Sequence, residues 1–231
     1  MLGILGKHPR QTMELKDVLH RRQSVRRFTA DDVPNDDIRE MLDAARIAPS
    51  GKNQQNWHFV VIKNKALMGK VAEAIQNKNE EIAKRMDSVD SEKGDRFRKF
   101  LKNFTLFFMG APVLIVVMTQ TYIPSGYREY ELVGADPQVL GDLLGHRNPG
   151  MQSLGAAVEN LNLRAVDLGY GCCWLTSANY AAAAIEELVR EEAGFKEEGY
   201  YMGALIALGV PEGEPKSPGR KSLDEIYTLV E

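Results

Sequence analysis

The chain has 231 residues, 44% of them apolar, with 29 Lys plus Arg against 32 Asp plus Glu and a net charge of −3. That composition supports one sizeable domain or two small ones; the near balance excludes a protein that holds nucleic acid by overall charge, though not local basic patches. The only cysteines, Cys172 and Cys173, are adjacent and cannot close a useful loop, which excludes a disulfide framework and suits a reducing compartment.

Residues 1–12 read as a tail, with too short an apolar run for a signal peptide. Met13 to Arg22 predicts a short helix with Leu15, Val18 and Leu19 on one face. Pro34-Asn35-Asp36-Asp37 is a helix start with a cap and first-turn acids, and Ile38, Met41, Leu42, Ala45 and Ala48 follow at helical spacing. Pro49 and Gly51 end that helix, and Trp57 to Ile62 predicts a strand. Ala66 to Met86 and Ser91 to Phe107 predict helices, the second with Phe97, Phe100, Leu101 and Phe104 as its apolar stripe. Val113 to Met118, apolar throughout, suits a strand covered on both faces. The apolar stretch from Phe104 to Met118 is broken by Thr105, Gly110 and Pro112, short of the roughly 18 residues that span a bilayer. A soluble, cytoplasmic protein is expected, with no membrane partner.

Residues 119–149, rich in Gly and Pro, predict a long excursion with one short helix. Gly150 to Leu168 is the strongest helix: Met151, Leu154, Val158, Leu161, Ala165 and Leu168 alternate steps of three and four, and Ala157, Leu163 and Val166 widen the face. It suits a central core helix or one facing a second subunit. After Gly169, a strand over Gly171 to Thr176, a helix over Ala181 to Glu192 and a strand over Tyr200 to Leu208 follow. From Gly209 the chain becomes a Pro- and Gly-rich arm, 209–231, ending in Leu223 to Val230. The expectation is one domain over 13–231.

Three polar groups can carry chemistry. Arg22, Ser24 and Arg26 lie at and beyond a helix end, where a straightened chain turns alternate residues one way, so two guanidiniums and a hydroxyl could converge on a phosphate. The same charges also fit a solvated patch that balances Asp31, Asp32, Asp36 and Asp37. Ser50, Asn53 and Gln55 beside Gly51 could read a planar polar ring, or form an ordinary loop. Lys216, Arg220 and Lys221 stand among Pro and Gly where no helix satisfies them; they form a third cationic site or a surface tail. There is no P-loop, no dinucleotide-binding glycine fingerprint and no nucleophile elbow. The four histidines lack metal-ligand spacing, so no metal site is expected. Cys172 and Cys173 could be a redox pair or small buried apolar groups. With no catalytic side chain evident, a cofactor would have to do the chemistry.

Arg22-x-Ser24-x-Arg26-Arg27-Phe28, a helix, then Ala48-Pro49-Ser50-Gly51-Lys52-Asn53-x-Gln55-x-Trp57-x-Phe59 resembles the FMN-dependent nitroreductase family. Gly169 to Leu175 and the end of the chain, Gly209-Val210-Pro211 and Arg220 to Glu225, resemble it in the same order, from about residue 13 to 227. The resemblance implies an α+β fold, with a central mixed or antiparallel sheet flanked by helices, in an intertwined homodimer with FMN at two shared sites. It implies that Arg22, Gln23, Ser24 and Arg26 form the first flavin-binding segment, Arg22 on the phosphate and Arg26 near the pyrimidine end of the ring. Pro49, Ser50, Gly51 and Asn53 would come from the partner. Trp174, Leu175 and Thr176 would lie beside flavin N5, Arg220 and Lys221 would clamp the phosphate, and Asn103 would be a polar ring contact. The implied activity is NADH- or NADPH-driven reduction of a nitroaromatic, quinone or related small-molecule acceptor by ping-pong hydride transfer, with flavin N5 rather than a side chain as the reactive centre. A reductive dehalogenase or flavin-cleaving enzyme on the same scaffold, or a non-enzymatic anion-binding module, stands as the alternative. Two departures are Asn56, where the family commonly has Pro, and Thr176-Ser177, where many members have an acid and Gly.

Overall fold

A computed structural model describes residues 13–215 and 218–231; the expected tail 1–12 and the role of Lys216 lie outside them. The chain order is α1 (Leu15–Arg21), α2 (Asn35–Arg46), β1 (Trp57–Ile62), α3 (Lys65–Asp87), α4 (Ser91–Phe104) and β2 (Val113–Gln120). Then come α5 (Tyr127–Leu132), α6 (Pro137–Leu144), α7 (Pro149–Asp167), β3 (Gly171–Leu175), α8 (Ala182–Glu192) and β4 (Tyr200–Gly209). The four strands form one sheet in the order β1-β2-β4-β3 with every pair antiparallel, which resolves the expectation of a mixed or antiparallel sheet.

The central strands are apolar on both faces because each face has its own core. Leu114, Val116 and Met118 of β2, with Leu205 and Ala207 of β4, face the layer of α3 and α8. The alternate residues Val113, Ile115, Val117, Ala204, Ile206 and Leu208 face α2 and α7. The period of two thus feeds two cores from one strand. Burying a Leu or Ile side chain here contributes about 1.5–3 kcal/mol. Among the described residues no helix is long and apolar enough to cross a membrane.

Several expected boundaries move. The cap position of α2 is Pro34, and no side chain caps that helix; its acid Asp37 is instead buried, accepting a hydrogen bond from the Tyr170 hydroxyl at 2.6 Å. The helix expected to reach Phe107 stops at Phe104, and residues 106–110 tighten into a 3-10 turn. Its aromatic stripe is only partly covered: Leu101 is buried, whereas Phe100 and Phe104 are exposed and stack on each other at 5.4 Å. The excursion starts after Gln120 and folds as two short helices, not one. The Asp136 carboxylate caps α6, and Pro137 takes its first position. Asn148 likewise caps α7, so Pro149 starts that helix one residue earlier than expected. β3 ends at Leu175 and leaves Thr176 in the turn that follows.

Candidate functional site

The first basic segment is built as an extra edge on the sheet. Beyond α1 the chain straightens. Ser24 bridges Cys172 in parallel fashion, and the Val25 N–H donates to the Cys172 carbonyl at 2.9 Å. Farther on, Phe28 bridges Pro211 and the Glu212 N–H donates to the Arg27 carbonyl at 3.0 Å. Gly171 permits this approach, since a Cβ there would lie 2.4 Å from Val25 Cγ2. Arg26 Nη1 donates to the Ser24 carbonyl at 3.4 Å, and the two guanidiniums take different side-chain neighbours. Arg22 is half-buried and pairs with Glu159 of α7 at 3.3 Å, while the exposed Arg26 lies over the Phe107 ring, 5.9 Å from its centroid. Gln23 is half-buried, and its buried Oε1 has no partner. Ser24, Arg26 and Arg27 line a cleft of about 400 Å³ with Pro211, Glu212 and Glu214. A wider groove of about 650 Å³ between α3 and α8 contains none of the expected site residues.

The second segment is a strained loop. Lys52, Asn53 and Gln55 all hold left-handed backbone, with φ of 53°, 52° and 47°. Each such non-glycine residue costs about 1 kcal/mol or more, and strain of this kind concentrates where function needs it. The loop persists because hydrogen bonds hold it. The Ser50 hydroxyl accepts from the Gln55 N–H at 3.0 Å. The Gly51 N–H donates to the Ser153 hydroxyl of α7 at 3.2 Å.

The anchor of the loop is a residue whose importance sequence reasoning missed. Asn56 is 2% exposed, and its Nδ2 donates to Thr119 Oγ1 at 2.9 Å, the Gln120 carbonyl at 3.2 Å and the Gly150 carbonyl at 3.4 Å. The Thr119 hydroxyl donates back to the Asn56 carbonyl at 2.8 Å. Where the family commonly has Pro, this chain thus places a buried amide donor, whose own Oδ1 has no partner. Gly150 completes the corner, because a Cβ there would fall 2.7 Å from Tyr122 Cβ.

Within one chain the two segments attach to α7 at Glu159 and Ser153. Those positions are about 9 Å apart along the helix and about 120° apart around it. The remaining expected residues scatter further. Pro49 and Asn53 are exposed, Trp174 and Thr176 are exposed on and just beyond β3, and Leu175 is buried in the core. Asn103 is exposed near the end of α4. Arg220 and Lys221 belong to an arm, 218–231, whose residues are all exposed, including Leu223, Ile226, Tyr227, Leu229 and Val230. A capping box between Ser222 and Glu225 gives the arm its one 3-10 turn.

Both cysteines are buried and unpaired in any disulfide. Burial pushes the Cys172 thiol far up, and it also raises Cys173 against the opposing effects of the Arg26 charge and the Ser24 hydroxyl. In both, burial disfavours the thiolate that redox chemistry needs. In native protein at pH 8, iodoacetamide should label neither thiol, and both should react after denaturation, as intact-mass measurement will read. Rapid native labelling would contradict this.

Comparison with known proteins places the chain in context. A BluB-like flavoprotein from Clostridium difficile 630 is 55% identical, with a TM-score of 0.92 over 95% of this chain and 100% of that one. The iodotyrosine deiodinase of Hydra vulgaris is 36% identical over 110 residues, which are 45% of this chain but 38% of that protein's length. A nitroreductase with bound FMN from Bacteroides fragilis shares the fold, with a TM-score of 0.67 at 20% identity over 95% of this chain and 100% of that one. The model of the nitroreductase family matches residues 19–210, so the chain belongs to that family.

Proposed function

We propose that the protein is an FMN-dependent oxidoreductase that passes reducing equivalents from NADH or NADPH to a nitroaromatic, quinone or related acceptor, the two substrates taking turns at one site. The observation that carries this reading is the first segment, held on the β3 edge by Ser24 and Val25 over a glycine that admits no side chain, with Arg22 and Arg26 to either side. Two guanidiniums, a hydroxyl and an amide side chain with an unpartnered buried oxygen fit a phosphorylated, hydrogen-bonding flavin. Bound FMN supplies the hydride chemistry.

In this reading Arg22 binds the phosphate and Glu159 holds its guanidinium against α7. Arg26 sets a fixed positive charge beside the ring, which favours negative charge gathering there. Trp174, Leu175 and Thr176 wall the reactive edge, and Asn103 contributes a polar contact at its rim. The protein works as a homodimer. Pro49, Ser50, Gly51 and Asn53 of one copy serve the flavin of the other, and Arg220 and Lys221 reach the phosphate on the exposed arm. Two observations support this division: the separate attachment of the two segments to α7, and an arm whose apolar residues have no cover in one chain.

The purified protein should take up about one FMN per chain and show a flavin spectrum that bleaches anaerobically with a nicotinamide. A colourless protein that refuses FMN would overturn the reading. Sedimentation should give a dimer, and a dilute monomer that keeps its FMN would contradict the shared site. The likeness to an iodotyrosine deiodinase favours a second reading, a reductive dehalogenase on the same scaffold. Halide release from a halotyrosine would select it, and cleavage products from reduced FMN under oxygen would select a flavin-cleaving enzyme instead.

A further inference from the structure

Thr105 interrupts an apolar stretch, and the fold buries it completely, between the end of α4 and the following 3-10 turn. A hydroxyl taken out of water without a partner costs about 1–3 kcal/mol. Thr105 meets that cost with one long-range bond: its Oγ1 donates to Ser177 Oγ at 3.0 Å. Ser177 is half-buried, with exposed Thr176 on one side and fully buried Ala178 on the other. The bond therefore runs from the interior to the surface beside β3.

The same turn is held from other directions. The β2–β4 register shifts between Val117 and Met118, where Met202 and Ala204 take successive partners and Gly203 is left over. That bulge frees two backbone groups. The Gly203 carbonyl accepts from Asn179 Nδ2 at 3.1 Å, and the Met202 N–H donates to Glu186 Oε1 of α8 at 2.7 Å. On the α3 side, Asn79 Nδ2 donates to the Tyr180 hydroxyl at 3.5 Å. Three of these bonds, at Ser177, Asn179 and Tyr180, end on the turn itself.

We propose that Thr105 is a positioning residue for the reaction, fixing through Ser177 the turn that carries Thr176. The inference rests on the flavin reading above for the reaction, but not for the clamp itself. Both bonding partners lie in one chain, so the clamp forms before cofactor or partner arrives. It also ties the turn to the helix that presents Phe100 and Phe104.

The test uses three variants of the full-length protein. Thr105→Val keeps the shape and removes the hydroxyl, Thr105→Ser keeps the hydroxyl, and Ser177→Ala removes the acceptor at a half-exposed position that cannot unfold the core. In flavin-free protein, amide hydrogen exchange of the peptide spanning 174–181 should quicken about tenfold in Thr105→Val and return to the wild-type rate in Thr105→Ser. In the flavin-loaded protein, Thr105→Val should bind FMN within about twofold of wild type and keep its KM. Its kcat for acceptor reduction should fall about tenfold, with Thr105→Ser restoring it. The double variant should be no slower than Ser177→Ala alone, since Thr105 acts only through Ser177. Exchange and kcat of Thr105→Val within twofold of wild type would overturn the proposal, as would a Thr105→Ser variant no better than Val. A wild-type protein that takes up no FMN overturns the flavin reading instead, and the exchange result then decides the clamp.

Discussion

Arg22→Ala is expected to weaken FMN binding about ten- to a hundredfold, measured by quenching of flavin fluorescence. A charge-assisted hydrogen bond contributes about 1.5–3 kcal/mol, and a guanidinium on a phosphate makes more than one such contact. The variant also leaves Glu159 without the partner it holds at 3.3 Å, so a bare carboxylate would face the phosphate. Arg22→Lys should recover only part of the loss, because an ammonium cannot bond Glu159 and a phosphate through a planar fork. The double variant with Glu159→Gln should bind FMN better than Arg22→Ala alone, since the repulsion is gone. Unchanged affinity in Arg22→Ala would remove the phosphate role and return the basic segment to a solvated patch.

Asn56→Leu is expected to lower stability by about 3 kcal/mol, a fall in the melting temperature of about 6–12 °C. The substitution takes the amide donor from the Gln120 and Gly150 carbonyls, while the Thr119 hydroxyl keeps only its bond to the backbone carbonyl of residue 56. Asn56→Asp makes the sharper comparison. It preserves size but turns a donor into a carboxylate facing three acceptors, so it should be worse than Leu at neutral pH. The loop above should loosen with its Asn56 anchor, since its left-handed residues Lys52, Asn53 and Gln55 are held against strain. A melting point within 2 °C of wild type in both variants would show that the loop is held by other contacts.

The parts of the fold legible in the sequence are those decided locally. Pro34, Pro49, Pro112 and Gly169 mark where helices and strands can begin or end, and β1 and α8 fall within a residue of their expected bounds. Val113 to Met118 announces a doubly covered strand because no polar side chain interrupts it. What stayed hidden depends on partners far along the chain. Asn56 reads as a loop residue, yet its bonds reach Thr119 and Gly150. Thr105 reads as an interruption, yet it answers Ser177. The aromatic stripe of α4 has helical spacing, but spacing does not say which turn meets the core, and Phe100 and Phe104 lie beyond it. The basic segment has the straightened backbone that its alternating residues anticipate. What the spacing does not show is which partners its two arginines take, since Glu159 and Phe107 are distant in sequence.

The strand order β1-β2-β4-β3 carries a further consequence, for the chain as it is made. No two neighbouring strands are joined by a hairpin, since α3 and α4 separate β1 from β2, and α8 separates β3 from β4. β4, the strand that joins both β2 and β3, is also the last to be synthesised. Until residue 209 leaves the ribosome, β2 has only β1 beside it and offers an open edge with two apolar faces. Long-range pairing of this kind is slow and leaves its precursors prone to associate. The α3–α4 hairpin can form early, but the sheet cannot close until the end. β2 therefore stays open from the time residue 120 is made until residue 209 follows, and a chain truncated before Tyr200 is expected to pellet on centrifugation where the full chain stays in solution.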